Sequence, residues 1–167
     1  MKKIRSRRTY LTIRLAQPKD IPALLGLLEQ ILSVHHQARP DIFKEKGGKY
    51  SEEELKQLMA QDKTPIFVYE NEDDQILGHL FVTIKEGSDN PVLHPIKTLF
   101  IEDLCVDQAA RGQKIGDQLY QFAVSYAKEI GCYNLTLNVW NDNEGALRFY
   151  QRQGMKPQET FMETIID

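Results

Sequence analysis

The sequence has few of the features that mark secreted, disulfide-bonded or membrane proteins. It holds only two cysteines, Cys105 and Cys132, in 167 residues, and their spacing matches neither a metal site nor a disulfide framework. We interpret both as small buried hydrophobic residues in a reducing compartment. No run of about 18 apolar residues could cross a membrane, and no apolar signal-peptide segment follows the basic N-terminus. These absences favour a cytoplasmic protein.

The net charge is also small. A formal charge of −3 predicts no general attraction to nucleic acid or to an anionic membrane. We interpret residues 1–9 as a short, solvated basic tail and residues 10–167 as one domain, long enough to bury a core without disulfides or metals. Internal repeats, low-complexity tracts and linkers are absent from the sequence.

Hydrophobic periodicity predicts the element order β-α-α-β-β-β-α-β-α-β. This order is typical of an α/β (α+β) domain with a mixed sheet and helices on its faces. The predicted strands are Tyr10 to Ala16, Pro65 to Glu70, Ile76 to Lys85, Lys97 to Val106, Cys132 to Trp140, and closing strands within Met155 to Ile166. The predicted helices begin near Asp20, Ser51, Lys114 and Asn143.

The histidines do not form a metal-binding pattern. His35 and His36 are adjacent, so their side chains project about 100° apart on a helix, and we expect no metal there. The loop that follows, up to Lys49, either lines a pocket or is plain surface. His79 and His94 lie in a strand and in a proline-flanked loop, where we interpret them as structural or exposed.

The residues from Phe100 to Gly116 combine a buried strand, a basic turn and the start of a helix. A glycine-containing turn at a helix N-terminus directs unpaired backbone N–H groups and the positive end of the helix dipole at one point, which suits a phosphate. The turn lacks the Gly-Lys-Ser/Thr ending and the Gly-x-Gly-x-x-Gly pattern of nucleotide-binding loops. It therefore indicates either a pyrophosphate site supported by Arg111 and Lys114 or an ordinary strand-to-helix turn.

Two motifs together distinguish these alternatives. The first is a turn of the form Gln/Arg-x-x-Gly-x-Gly/Ala, and the second is Asn-x-x-Ala-x-x-x-Tyr followed by Gly-Phe. With both at this separation, the sequence resembles the GNAT superfamily of acetyl-CoA-dependent N-acetyltransferases, with Lys114 where the first motif usually has its central glycine. The residues that match the two motifs are Arg111, Gly116, Asn143, Ala146, Tyr150, Gly154 and Met155.

The resemblance is sharp from Thr98 to Lys156 and agrees in element order elsewhere. It implies a single-domain GNAT fold with a mixed central sheet of about six to seven strands, flanked by about four helices. It also implies that the two central parallel strands splay apart at a bulge.

The resemblance further implies acetyl-CoA as co-substrate. Its pantetheine arm would lie between the splayed strands and pair with Leu104, Cys105 and Val106, and an N–H near Leu104 would polarise the thioester carbonyl. Asn143 would cap its helix and also touch this arm. The residues implied to hold the pyrophosphate are Arg111, Gly112, Gln113, Lys114, Ile115 and Gly116.

Tyr150 matches the tyrosine that protonates the departing thiolate in this family, whereas the alternative role is core packing. Glu102 is the leading candidate to remove a proton from the amine or to attract it, and the alternative is an exposed charge at the strand end. Asp103 ranks second, since strict alternation turns it to the opposite face unless a bulge intervenes. Cys105 is not expected to be a nucleophile, because its apolar strand offers nothing that would form a thiolate.

We therefore predict acetyl transfer to a primary amine by direct attack in a ternary complex, without a metal or a covalent acyl-enzyme. The expected partner is a small-molecule amine. A homodimer through the terminal strands is common in this family, so the resemblance also implies a possible homodimer. Two alternatives stay open. One is a non-catalytic acyl-CoA-binding or sensing module, and the other is a protein or peptide N-acetyltransferase, which requires an open groove between the loops at 35–49 and 87–95.

Overall fold

The computed structural model describes residues 12–167, so the predicted basic tail and the first residues of the first predicted strand lie outside the described residues. The strands are β1 (Ile13–Leu15), β2 (Ile66–Glu70), β3 (Ile76–Glu86), β4 (Lys97–Val106) and β5 (Asn134–Leu137). The α-helices are α1 (Ile21–Ala38), α2 (Glu52–Met59), α3 (Ile115–Glu129) and α4 (Glu144–Arg152). This order confirms the predicted α/β class.

The five strands form one mixed sheet in the order β1-β2-β3-β4-β5. Strands β1 to β4 pair with one another in antiparallel fashion, and β5 runs parallel to β4. Helices cover both faces, because alternate strand residues form separate apolar clusters. On one face α3 packs over Leu80, Val82, Leu99 and Ile101. On the other, α1 and α2 pack over Ile66, Val68 and Phe81.

The predicted closing strands between Met155 and Ile166 are wrong. Residues 155–167 contain no helix or strand, and the side chains of Phe161 and Ile166 are 99% and 85% exposed. Residues 12–167 thus contain five strands, slightly fewer than the six to seven that the resemblance implied. An alternating sequence is not enough to form a strand, because the backbone N–H and C=O groups also need a neighbouring strand to pair with.

The two parallel strands separate partway along the sheet, as the resemblance implied. β4 pairs with β5 only from Thr98 to Ile101, although β4 itself continues to Val106. Asp103 to Val106 therefore stay paired with β3 on one side and face a gap on the other. This gap opens toward the turn that leads into α3.

Gly78 in β3 allows α3 to approach the sheet closely. A Cβ built there would lie 2.9 Å from the Cys105 carbonyl oxygen and 3.1 Å from Leu119 Cδ1. Since the backbone oxygen cannot move aside easily, a side chain at this position would push the start of α3 away from β4.

We predict that Gly78→Ala lowers the free energy of unfolding by about 1–3 kcal/mol through this overpacking. The matched control is Gly26→Ala in α1, where an added Cβ meets nothing within 4 Å and helix propensity should add stability of up to about 1 kcal/mol. Urea denaturation of both variants measures the difference. Equal stability of the two variants would contradict the close approach described for Gly78.

Candidate active site

The backbone of β4 presents unpaired groups to the gap. The Asp107 N–H donates to the Leu77 carbonyl of β3 at 2.8 Å. Because alternate residues of an antiparallel strand direct their backbone groups at the same neighbour, Cys105 and Asp103 also face β3. Leu104 and Val106 accordingly direct their N–H and C=O groups toward the gap, where no residue of β5 pairs with them. A carbonyl placed in the gap could accept a hydrogen bond there.

A bulge in β4 interrupts the alternation of its side chains. Phe81 of β3 pairs with Asp103, whereas the next residue, Val82, pairs with Ile101. Glu102 is therefore an extra residue without a partner on β3, which is the arrangement of a β-bulge. Strict alternation would have turned the two acidic residues to opposite faces, and the bulge removes that restriction.

Both carboxylates lie on the face that carries α1 and α2. Glu102 is exposed and its Oε1 accepts a hydrogen bond from the Thr83 hydroxyl at 2.9 Å. Asp103 is buried, with Lys49 Nζ at 3.8 Å from its Oδ2. Tyr50 stacks on Phe81, which pairs with Asp103, and burial, followed by the charges of Glu102 and Asp103, raises the pKa of its hydroxyl. The end of the loop before α2 thus lines the acidic site, which favours the pocket-lining interpretation of that loop.

His79 lies beside Asp103 on this face. Its Nε2 is 3.8 Å from Asp103 Oδ1, which is too long for a direct hydrogen bond. Burial acts to raise the pKa of Asp103, but His79, Lys49 and His35 together outweigh it and hold this pKa below its usual value. The Asp103 carboxyl is therefore ionised at neutral pH.

Tyr150, on α4, is held as a neutral phenol. Burial, followed by the charge of Asp103, raises the pKa of its hydroxyl above the ordinary value near 10, so it keeps its proton throughout the neutral range. Its ring packs against Phe149 at 5.0 Å and Tyr120 at 6.4 Å between centroids. Burial also raises the pKa of the Cys105 thiol to about 12, which agrees with the expectation that Cys105 is not a nucleophile.

The turn before α3 contains two residues in the left-handed region. Gly112 has φ +86°, and Lys114 has φ 59° and ψ 26° at the N-cap of α3. A non-glycine residue pays about 1–2 kcal/mol for this conformation, which explains why the related motif has glycine at that position. Within residues 12–167, no protein group accepts a hydrogen bond from the N–H groups of Gly112 to Asp117. They remain free for an anion at the helix N-terminus.

Contacts between the start of α3 and α4 fix the turn relative to Tyr150. Gly116 lies against Phe149, since an added Cβ would be 3.3 Å from its Cε2 atom. The Gln153 side chain donates to the Asp117 carboxylate. Asn143 caps α4 as predicted, and its Oδ1 accepts from an amide of the first turn at 3.2 Å.

An open cavity of about 520 Å³ lies on another side of the turn, next to the β2–β3 hairpin. Its lining includes Tyr69, Leu77, Asp107, Ala110 and Gln113. It shares Gln113 with the turn, but neither Glu102 nor Asp103 lines it. The cavity therefore adjoins the candidate site without forming part of it. Among residues 12–167 there is no cluster of three or more His, Cys, Asp or Glu placed to hold a metal ion. None of the helices described there is both long and apolar enough to span a bilayer.

The model of the Acetyltransferase (GNAT) family matches residues 28–155, which include the gap, the turn and Tyr150. The chain belongs to the GNAT acetyltransferase family. Among solved structures, the GNAT chain is similar to the BH1408 protein from Bacillus halodurans, with a TM-score of 0.88 and 27% identity over 92% of this chain and 98% of that one.

Two curated relatives match over shorter stretches. Glucosamine 6-phosphate N-acetyltransferase from Arabidopsis thaliana is 31% identical over 67 residues, 40% of this chain and 43% of that protein. Its structure superimposes with a TM-score of 0.66 at 24% identity, covering 93% and 97% of the two chains, which shows a common fold. The N-acetyltransferase MJ1207 from Methanocaldococcus jannaschii is 39% identical over 59 residues, 35% of this chain and 26% of that protein. The aligned stretches span less than half the length of either relative.

The predicted site residues lie on neighbouring elements. Leu104 and Val106 face the gap, the turn follows the end of β4, and Tyr150 lies on α4, which contacts the start of α3. Sequence reasoning treated His79 as structural and did not include Lys49 or Tyr50. Their proximity to Asp103 depends on the β3–β4 register and on the path of the loop, and no local sequence signal indicates either.

Lys114 allows charge and backbone strain to be separated. We predict that Lys114→Gly is more stable than Lys114→Ala by about 1 kcal/mol, because only glycine removes the left-handed penalty while both variants lose the ammonium group. Thermal and urea denaturation measure the difference. If the alanine variant is as stable as the glycine variant, the left-handed conformation assigned to residue 114 is wrong.

Proposed function

We propose that this GNAT chain transfers the acetyl group of acetyl-CoA to a primary amine by direct attack in a ternary complex. The observation that carries the proposal is the open gap beside β4, where no strand within residues 12–167 pairs with the Leu104 backbone groups or with the Val106 N–H. Family membership supplies acyl transfer as the reaction class. The gap ends at a turn of free N–H groups, which provides separate places for a thioester and for a pyrophosphate.

The acyl donor would lie along the end of β4. Its pantetheine amides would pair with the strand from Leu104 to Val106, as an added partner does at an unpaired strand edge. The thioester oxygen would accept from the Leu104 N–H, and a backbone donor aimed at a developing oxyanion typically contributes about 3 kcal/mol. The pyrophosphate would bind the N–H groups of the turn, with Arg111 and Lys114 adding positive charge.

The amine would approach from the face that carries α1 and α2. Glu102 is the exposed carboxylate there and Asp103 is the buried one. Beside them the rings of Tyr50 and Phe81 stack on each other, with 5.7 Å between their centroids. Two carboxylates next to aromatic rings favour a cationic amine with some apolar character. Glu102, at the solvent side, would attract the ammonium group.

The reaction then requires one proton at sulfur. The amine nitrogen attacks the thioester carbon, the C–S bond breaks as the tetrahedral intermediate collapses, and the electron pair leaves on the CoA sulfur. Tyr150 would donate its phenolic proton to that sulfur, and the second proton that the nitrogen loses as the amide forms would restore the phenol. The raised pKa of Tyr150 keeps this donor protonated until the thiolate forms.

The name of the Arabidopsis relative describes a phosphorylated amino sugar as its substrate. The acceptor side described here is dominated by carboxylates, and Lys49 is engaged with Asp103. This balance favours a cationic acceptor over a phosphorylated one. A sensing module or a peptide acetyltransferase remains an outcome that the same assay distinguishes.

Turnover of acetyl-CoA across polyamines, amino acids, aminoglycosides, amino sugar phosphates and peptides tests the proposal. We expect amine-dependent release of free CoA, fastest with a small cationic amine. Binding of acetyl-CoA without turnover on any amine would contradict the proposed function and favour a sensor. Turnover restricted to peptides would contradict the small-molecule substrate.

We predict that Tyr150→Phe lowers kcat at least tenfold with little change in the KM for acetyl-CoA, since general acid catalysis contributes about 10² to 10⁴-fold. The matched control is Tyr133→Phe, which removes the same hydroxyl from an exposed residue. Steady-state kinetics with saturating amine measure the effect. An unchanged kcat in Tyr150→Phe would show that the hydroxyl is not the acid.

A further inference from the structure

His79 is an unusual buried side chain. It is 0% exposed, and neither Nδ1 nor Nε2 has a hydrogen-bond partner among the described residues. A buried polar group without a partner is destabilising, so such groups in native structures call for an explanation. Apolar packing alone does not require nitrogen atoms here, because a phenylalanine would fill a similar space.

The position of His79 supplies an explanation. It lies in β3 opposite Cys105, so Asp103, which follows the bulge at Glu102, is its diagonal neighbour on the same face. The Nε2 to Oδ1 distance of 3.8 Å can be bridged by one water or closed by a small movement. Hydrogen bonds of catalytic groups are often long in the absence of substrate and shorten when it binds.

Asp103 separates His79 from the acceptor side. Its side chain is almost buried, with its Oδ2 toward Lys49 on the solvent side and its Oδ1 toward His79 on the inner side. An incoming ammonium group would therefore meet Asp103 first and could take the place of the half-exposed Lys49 amine. His79 can exchange a proton with the substrate only through Asp103 or a bridging water.

We propose that Asp103 and His79 act as one proton acceptor for the substrate amine, with Asp103 as the catalytic base and His79 as the positioning residue that finally holds the proton. The proposal rests on the proposed amine acetylation and deepens it. The ammonium N–H bond breaks, the proton passes to the Asp103 carboxylate, and Asp103 then hands this same proton to His79 Nε2, directly or through the bridging water. The nitrogen keeps its electron pair and attacks the thioester, while the pair becomes carboxylate and imidazolium with no net charge.

The chemistry favours a pair over a lone carboxylate. A carboxylate ordinarily titrates near 4 and an imidazole near 6.5, so an imidazole is the better matched acceptor at neutral pH. Glu102 stays at the mouth of the site, where it attracts the cation. The β-bulge has a function in this arrangement, because it turns Asp103 toward His79.

Several other titratable groups face this pair and must be considered in any pH profile. They are His35 from α1, Lys49 and Tyr50 from the loop before α2, Glu102 and Cys105 from β4, and Tyr150 from α4. None of these groups is changed by a substitution at residue 79. A change of profile specific to that substitution therefore reports on His79.

The test compares His79→Gln with His94→Gln, which makes the same replacement at an exposed histidine in the loop before β4. We expect His79→Gln to lower kcat at pH 7 at least tenfold while the KM for acetyl-CoA stays within about twofold. The loss should shrink to about threefold at pH 9.5, where more of the amine is already neutral in solution. Asp103→Asn should give the same profile, and the double variant should lose no more than either single one.

Rates equal to those of His94→Gln at every pH would overturn the proposal. A loss that is equal at all pH values, or additive losses in the double variant, would also overturn it and indicate a structural role. His79→Phe covers the case in which glutamine disrupts the fold: if it is folded and fully active, the imidazole is not the acceptor.

Nitrogen-15 NMR of the imidazoles provides a readout that does not depend on turnover. The resonance missing from His79→Gln should change in Asp103→Asn, and an unchanged resonance would show that the two groups are not coupled. Absence of turnover by the wild-type protein on every amine would instead count against the proposed function. The NMR comparison then still decides whether the pair exists.

Discussion

The site depends on the early end of pairing between β4 and β5. Past Ile101, β4 keeps its ladder with β3 but loses its parallel neighbour, so the N–H groups of Leu104 and Val106 have no partner strand. Backbone groups at such an edge must find another acceptor or donor, whether water or a ligand. The acyl donor proposed here is a ligand of that kind, since its amides can replace the missing strand.

The rest of the fold positions other groups around that gap. Gly78 lets α3 lie close to the sheet, and the left-handed Lys114 forms the N-cap at the start of α3. Gly116 brings α4, and with it Tyr150, against the same helix. On the opposite face the bulge at Glu102 places two carboxylates together. The proposed donor and acceptor sites would therefore share the free edge of β4.

Local sequence patterns identify the turn before α3 and the cap of α4, whereas they do not predict the surroundings of Asp103. The turn from Arg111 to Gly116 and the motif around Tyr150 are local patterns, because helix caps and left-handed turns depend on neighbouring residues. The relation between Asp103 and His79 depends on a register shift between two strands, which the residues of neither strand specify alone. The wrong prediction of closing strands has the same cause. The sequence alternates there, but no neighbouring strand within residues 12–167 pairs with it.

Amide NMR during titration with CoA tests the central claim most directly. The account predicts that the largest shifts occur at Leu104, Val106 and the amides of Gly112 to Asp117, with little change at Cys105, whose backbone faces β3. Shifts concentrated instead at the cavity beside the β2–β3 hairpin, with Leu104 and Val106 unaffected, would contradict the gap as the donor site.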